Sequence, residues 1–173
     1  MADNVALTTI GVKIGYCLPA NLTRQNGVIT AVKSSVWLQD MKSAPAVDGE
    51  AEALETTTLA NTKFKSYEQG LKDMGGSQEF TANRTERLIT EWGNFYDGTT
   101  ALNEEGAIVI WHPSLTNMTV LPCKPQKLGS PEVGVNSVWE QTVRVTPTSE
   151  PVEVAKVEPT APSAQSTVVG GGD

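Results

Sequence analysis

Apolar residues recur at every second position in several stretches of this chain, the mark of strands with one buried face. Val12, Ile14, Tyr16 and Leu18 alternate with Lys13, Gly15 and Cys17, and Pro19 ends the run. A polar segment then closes in Asn26-Gly27, a strong tight-turn signal. Beyond it Val28, Thr30, Val32, Ser34, Val36 and Leu38 share one face of a second long strand. Strand, loop and strand predict an antiparallel hairpin. A loop follows, Ser43-Ala44-Pro45-Ala46-Val47-Asp48-Gly49, with Pro and Gly as turn formers. Three consecutive threonines in 53–59 favour an extended run, because a branched Cβ suits a pleated surface. After a second turn at Ala60-Asn61-Thr62, Phe64-Lys65-Ser66-Tyr67 reads as extended again, closed by Gly70.

The period changes once. Asn83-Arg84-Thr85-Glu86 has capping-box spacing, and Ile89, Trp92 and Tyr96 follow at helical intervals. They predict a single helix over 84–96, ended by Asp97-Gly98. Before it, 77–82 is short and extended. After it, Ala107-Ile108-Val109-Ile110-Trp111 is a continuous apolar run, expected of a strand buried on both faces. Residues 116–121 pair back and stop at Pro122. A loop, 124–131, is rich in Lys, Pro and Gly, and a strand region over 133–146 follows it. There Trp139, Val143 and Val145 face one way, and Glu140, Thr142, Arg144 and Thr146 the other. The expected fold is mainly β: an antiparallel β sandwich or barrel of about eight strands with one flanking α-helix.

Composition divides the chain in two. Residues 1–147 form the predicted domain. Residues 148–173 hold Pro, Ser, Thr, Val, Ala and Gly with no aromatic, Leu or Ile, too little apolar surface to offset the entropy of ordering. That extension is expected to be extended or disordered unless another subunit holds it. It carries one Lys against four acids, so -3 of the net charge of -7 lies there. An acidic protein is poorly suited to gripping nucleic acid, since affinity for phosphates comes from Lys and Arg. Cys17 and Cys123 lie far apart in apolar contexts and read as buried thiols. Met1-Ala2-Asp3-Asn4 lacks the basic and apolar regions of a signal peptide, and the apolar run 107–111 is too short to span a bilayer. The expectation is a protein made and folded in a cytoplasm, without membrane association.

Candidate chemistry is sparse. His112 ends an apolar strand with no Cys or His at metal spacing. Glu104-Glu105 are adjacent, and neighbours seldom face each other as acid–base work requires. Gly75-Gly76 and Gly170-Gly171-Gly172 lack the Lys and helix start of a phosphate loop. Lys124-Pro125-Gln126-Lys127 is too small for a nucleic-acid patch. Neither an enzyme nor a cofactor is expected. The long loop 42–54 combines Asp48, Glu50 and Glu52 with small apolar residues. It reads equally as a surface excursion or as an arm for a neighbouring subunit. Thr56 to Leu59 and Tyr67 also read as plain core-strand positions.

One arrangement is more specific. Ser43, Pro45 and Gly49, then Glu55, Thr57, Thr58 and Leu59, then Tyr67, Gly70, Leu71 and Asp73 together resemble the major tail tube proteins of long-tailed, non-contractile bacteriophages. Asp48-Gly49 stands where family members often carry a Gly pair. The resemblance spans about 10–147 and is dense only over 41–73. It implies a virion tail subunit forming hexameric rings, stacked into a hollow tube through the long loop. It implies tape measure, tail terminator and distal tail proteins as partners, and double-stranded DNA passing through without specific binding. The inter-subunit contacts it suggests are Pro45, Val47, Glu50, Glu52, Leu54, Thr57, Leu59 and Tyr67. Carboxylates facing the lumen would keep DNA off the wall, with Glu140 as a candidate. The alternatives are the tube of a contractile injection system, an exported β-sandwich binding module, and a small hydrolase on a β scaffold.

Overall fold

The computed structural model describes residues 6–60, 63–73 and 75–162. The N-terminal residues 1–4, Asn61 and Thr62 of the second turn, and the glycine run 170–172 lie outside them. Twelve strands and one helix follow in order among the described residues. They are β1 (Lys13–Cys17), β2 (Leu22–Gln25), β3 (Val28–Val32), β4 (Val36–Trp37), β5 (Met41–Ser43), β6 (Glu50–Glu55), β7 (Tyr67–Asp73) and β8 (Gln78–Asn83). Then come α1 (Glu86–Leu102), β9 (Gly106–Trp111), β10 (Asn117–Pro125), β11 (Glu140–Pro147) and β12 (Val152–Ala155).

The main sheet is antiparallel, in the order β4-β1-β9-β10-β11-β8-β5, with β12 also on β10. Its two end strands, β4 and β5, are separated in sequence only by Leu38-Gln39-Asp40. Three residues cannot cross a flat seven-strand sheet, since neighbouring strands lie about 4.8 Å apart. The sheet is therefore curled into a half-barrel, and this short segment closes it. Leu38 N donates to Ile14 O at 2.9 Å on one side, and Asn83 N to Asp40 O at 2.9 Å on the other. The mainly β fold with one flanking helix is thus the observed one.

Period-two alternation sorts the side chains into two cores. Ile14, Tyr16, Phe80, Ala82, Ile108, Leu121, Val143 and Val145 face α1, which answers with Leu88, Trp92 and Phe95. Tyr16 stacks on Phe95, with ring centroids 5.1 Å apart. On the opposite face Cys17, Ala107, Val109, Met118 and Val120 are covered by Leu22, Ile29 and Val32 of the β2–β3 hairpin and by Val154 of β12. This second cover explains why β9 is apolar at consecutive positions.

Several local expectations change. The second long strand is broken into β3 and β4, and the hairpin is β2–β3, closed by Asn26 (φ 53) and Gly27 (φ 79). β1 pairs instead with β4 and β9. The cap of α1 is Thr85 rather than Asn83, its side chain accepting from Leu88 N at 3.0 Å. The helix continues past Gly98, because that glycine lets the helix press on Leu18: an added Cβ would lie 2.6 Å from Leu18 Cδ2. It ends at Asn103, whose φ of 47 supplies the left-handed cap.

β10 runs through Pro122 instead of stopping there. Pro122 O accepts from Thr148 N at 3.0 Å, so its missing N–H faces the turn between β11 and β12 and interrupts no ladder. β11 begins at Glu140, leaving 133–139 outside the strand. The extension from 148 onward departs most from expectation, because its described part is built into the sheet. β12 pairs with β10 from Asn117↔Ala155 to Val120↔Val152. Thr160 bridges Val36, covering the β4 edge.

Candidate assembly surface

The long loop and its flanks fold as a two-stranded hairpin. β6 and β7 pair antiparallel, from Glu50↔Asp73 to Glu55↔Tyr67, with a bulge opposite Glu52. The extended run expected over 53–59 is displaced: the strand ends at Glu55, and Thr56 to Leu59 belong to the tip. The hydrogen bonds at the mouth of the tip account for this. Thr56 N donates to Ser66 O at 2.8 Å, and Ser66 N donates to Thr57 Oγ1 at 2.9 Å. Threonine hydroxyls here close a loop instead of packing on a sheet.

This arm pairs with no third strand among the described residues. Lys72 at its base reaches Glu150 at 2.5 Å. Its large apolar side chains stand in solvent: Leu59, Leu71 and Phe64 are 105%, 91% and 84% exposed, and Leu54 and Tyr67 are about half exposed. A solitary two-stranded hairpin is only marginally stable in water. Of the predicted contact residues, the arm places Glu50, Glu52, Leu54, Thr57, Leu59 and Tyr67 on this exposed element. Pro45 is half-buried before it. Val47 is the exception: it packs against the subunit's own core.

Glu140 is exposed at the start of β11, on the face away from α1, and is ion-paired with Lys42. Across the same face Arg144 Nε bonds Glu79 Oε1 at 2.6 Å, in register on β8. Thr81 and Thr142 stand opposite each other between these pairs. This wall is polar and charge-balanced in the subunit, so Glu140 is not a lone negative charge there.

The remaining candidates have structural roles. His112 Nε2 lies 2.8 Å from Thr8 O, and Nδ1 accepts from Ser114 N at 3.0 Å, so both ring nitrogens are engaged in turns. Glu105 bonds Arg24 and the Thr148 hydroxyl. Burial would raise its pKa, but the Thr148 bond and Arg24 outweigh that and hold it below the usual carboxylate value. Cys17 and Cys123 are free, and burial pushes each thiol up to about 12, far from thiolate chemistry at neutral pH. Among the described residues no cluster of His, Cys, Asp or Glu could hold a metal, and no helix is long and apolar enough to cross a membrane.

Sequence reasoning passed over a second exposed apolar element. In the loop between β10 and β11, Val133, Val135 and Val138 are 74%, 91% and 72% exposed. Trp139 beside them lies 4.7 Å from the Arg84 guanidinium. The order of turn formers Gly129, Pro131, Gly134 and Asn136 was the available signal.

No protein-family model matches the sequence, and no curated protein matches it. The fold is similar to that of a chain in the cryo-EM structure of the anti-feeding prophage (AFP) baseplate, 6-fold symmetrised. The TM-score is 0.51 at 11% identity, over 87% of this chain and 97% of that one. At that identity the likeness is one of fold.

Proposed function

We propose that this protein is a structural subunit of a phage tail or phage-tail-like particle, working by self-association and not by catalysis. The observation that carries the reading is the unpartnered β6–β7 arm, with Leu59, Phe64 and Leu71 displayed to solvent. Apolar groups held out on a defined hairpin lose free energy by burial, roughly 25 cal/mol for each Å² covered. A second copy supplies that cover at every contact. The likeness to a baseplate chain from a 6-fold particle supports a place in such a particle.

In its finer form the reading is a tail tube: hexameric rings, stacked through the arm, around a lumen that conducts double-stranded DNA. The face carrying Glu140, Thr142 and Arg144 is the candidate lumen wall. Its cations are paired with carboxylates, which leaves little to bind phosphate and fits passage without gripping. The second reading, the tube or a related ring of a contractile injection system, is favoured by the same baseplate likeness. Negative-stain electron microscopy of the concentrated protein tests the proposal. Rings or tubes with a central hole are expected, and a strictly monomeric species at all concentrations overturns it. Co-purification of a sheath protein separates the second reading from the first.

A further inference from the structure

We propose that the loop 132–139 of one subunit is the seat for the arm tip of the next copy, so that subunits join head to tail. This rests on the proposed assembly role and deepens it by naming the receiving surface. Among the described residues two elements each display three apolar side chains more than 70% exposed: the arm, through Leu59, Phe64 and Leu71, and the loop, through Val133, Val135 and Val138. The register of β8 on β11 places them at opposite ends. Gln78 pairs with Val145 where the arm joins β8, whereas Asn83 pairs with Glu140 where the loop enters β11. Six residues of strand, about 20 Å, separate the two ends. One patch at each end is the arrangement of a heterologous contact, which repeats without closing on itself.

Charge selects the same pairing. At the arm tip, 56–66, the charged residues are Lys63 and Lys65 with no carboxylate, so tip against tip sets like charge on like. The seat 132–139 carries Glu132 and no Lys or Arg, and the neighbouring Arg84 is engaged by Gly129 O, Gln141 Oε1 and the Trp139 ring. A basic tip carrying Leu59 and Phe64 thus meets an apolar loop whose one charged side chain is Glu132.

The test mixes two single-cysteine additions, L59C and V135C, under mild oxidation. Both native cysteines are buried, so background pairing is low. Mixed L59C–V135C dimers are expected to dominate. A predominance of L59C homodimers, or no mixed dimer, overturns the contact. As a second readout, the V135D/V138D double variant is expected to keep its thermal midpoint and ring formation while losing stacking at least tenfold. Stacking at wild-type levels overturns the contact as well. These outcomes are separable from the assembly proposal. A wild-type chain that forms no rings or tubes removes the particle role, while the mixed disulfide still reads the contact at high concentration.

Discussion

Two glycines next to the same helix have opposite expected responses to a methyl group. Gly93 lies inside α1 with open space where a Cβ would stand. Gly93→Ala removes backbone entropy from the unfolded chain and is expected to stabilise by about 1 kcal/mol. Gly106 begins β9, where an added Cβ would lie 2.6 Å from Phe95 Cε2 and 2.7 Å from Cys17 O. A backbone oxygen cannot yield as a side chain can, so Gly106→Ala is expected to cost about 3 kcal/mol. Urea denaturation of both variants checks the pair. Asp40 is a third such site. Its carboxylate accepts from Arg87 Nε and Nη2 at 3.0 and 2.9 Å and from Thr85 Oγ1 at 2.8 Å. The Arg87 bonds outweigh burial and, with Thr85, hold Asp40 below its ordinary value of 3.8. A depressed folded pKa gives stability that is present above the unfolded value and lost as pH falls through the folded one. Asp40→Asn is therefore expected to cost about 1–2 kcal/mol at pH 7 and progressively less below pH 4, read as denaturation midpoints across that range. Gly93 was legible as a position inside the predicted helix, whereas the contacts of Gly106 and Asp40 were not, because they come from residues distant in sequence. The capping pattern at Asn83 and Glu86 was visible, but Thr85 won the cap because Asp40, forty-five residues earlier, orients its hydroxyl.

At the level of elements, alternation was informative wherever one face is buried by the subunit itself. β1, β9 and β11 stand close to where period two and the apolar run put them. Pattern says little where burial does not decide. Threonine propensity placed a strand over 53–59, yet on an exposed arm no core rewards a branched side chain, and the hydrogen bonds at Thr56 and Thr57 set the turn. The arm's energetics predict a separable element. Replacing 56–66 by a two-residue Asn-Gly turn should leave the body's thermal midpoint within about 2 °C, because the removed residues bury little. The same variant should lose ring stacking. Hydrogen exchange gives an independent measure: amides of β6 and β7 should exchange fast in the free subunit and become protected on assembly. Equal exchange in both states would contradict an arm that docks.

The molecule as a whole is closed by its own C-terminal segment. Composition suggested that 148–173 cannot bury itself, and its described part, 148–162, does not do so alone. Val152 and Val154, alternating with Glu153, use a core that β10 has already built, an opportunity that composition averages away. Beyond β12, Pro159 is buried and Thr160 exchanges hydrogen bonds with Trp37 and Ser35, so the strap spans from the middle of the sheet to its β4 edge. Ladder groups at that edge are thereby withheld from other chains. Any assembly that pairs sheets through β4 must first displace the strap, whereas the arm and the 132–139 loop are accessible as they stand. Truncation after Pro147 separates these routes. Losing Val154 and Pro159 uncovers Met118, Val120 and the β4 edge, and is expected to destabilise the subunit by about 3 kcal/mol in denaturant titration. If stacking uses the arm, the truncated chain still forms the L59C–V135C adduct below its unfolding midpoint. If the strap itself bridges copies, that adduct vanishes while the subunit remains folded, and circular dichroism on the same sample distinguishes the two.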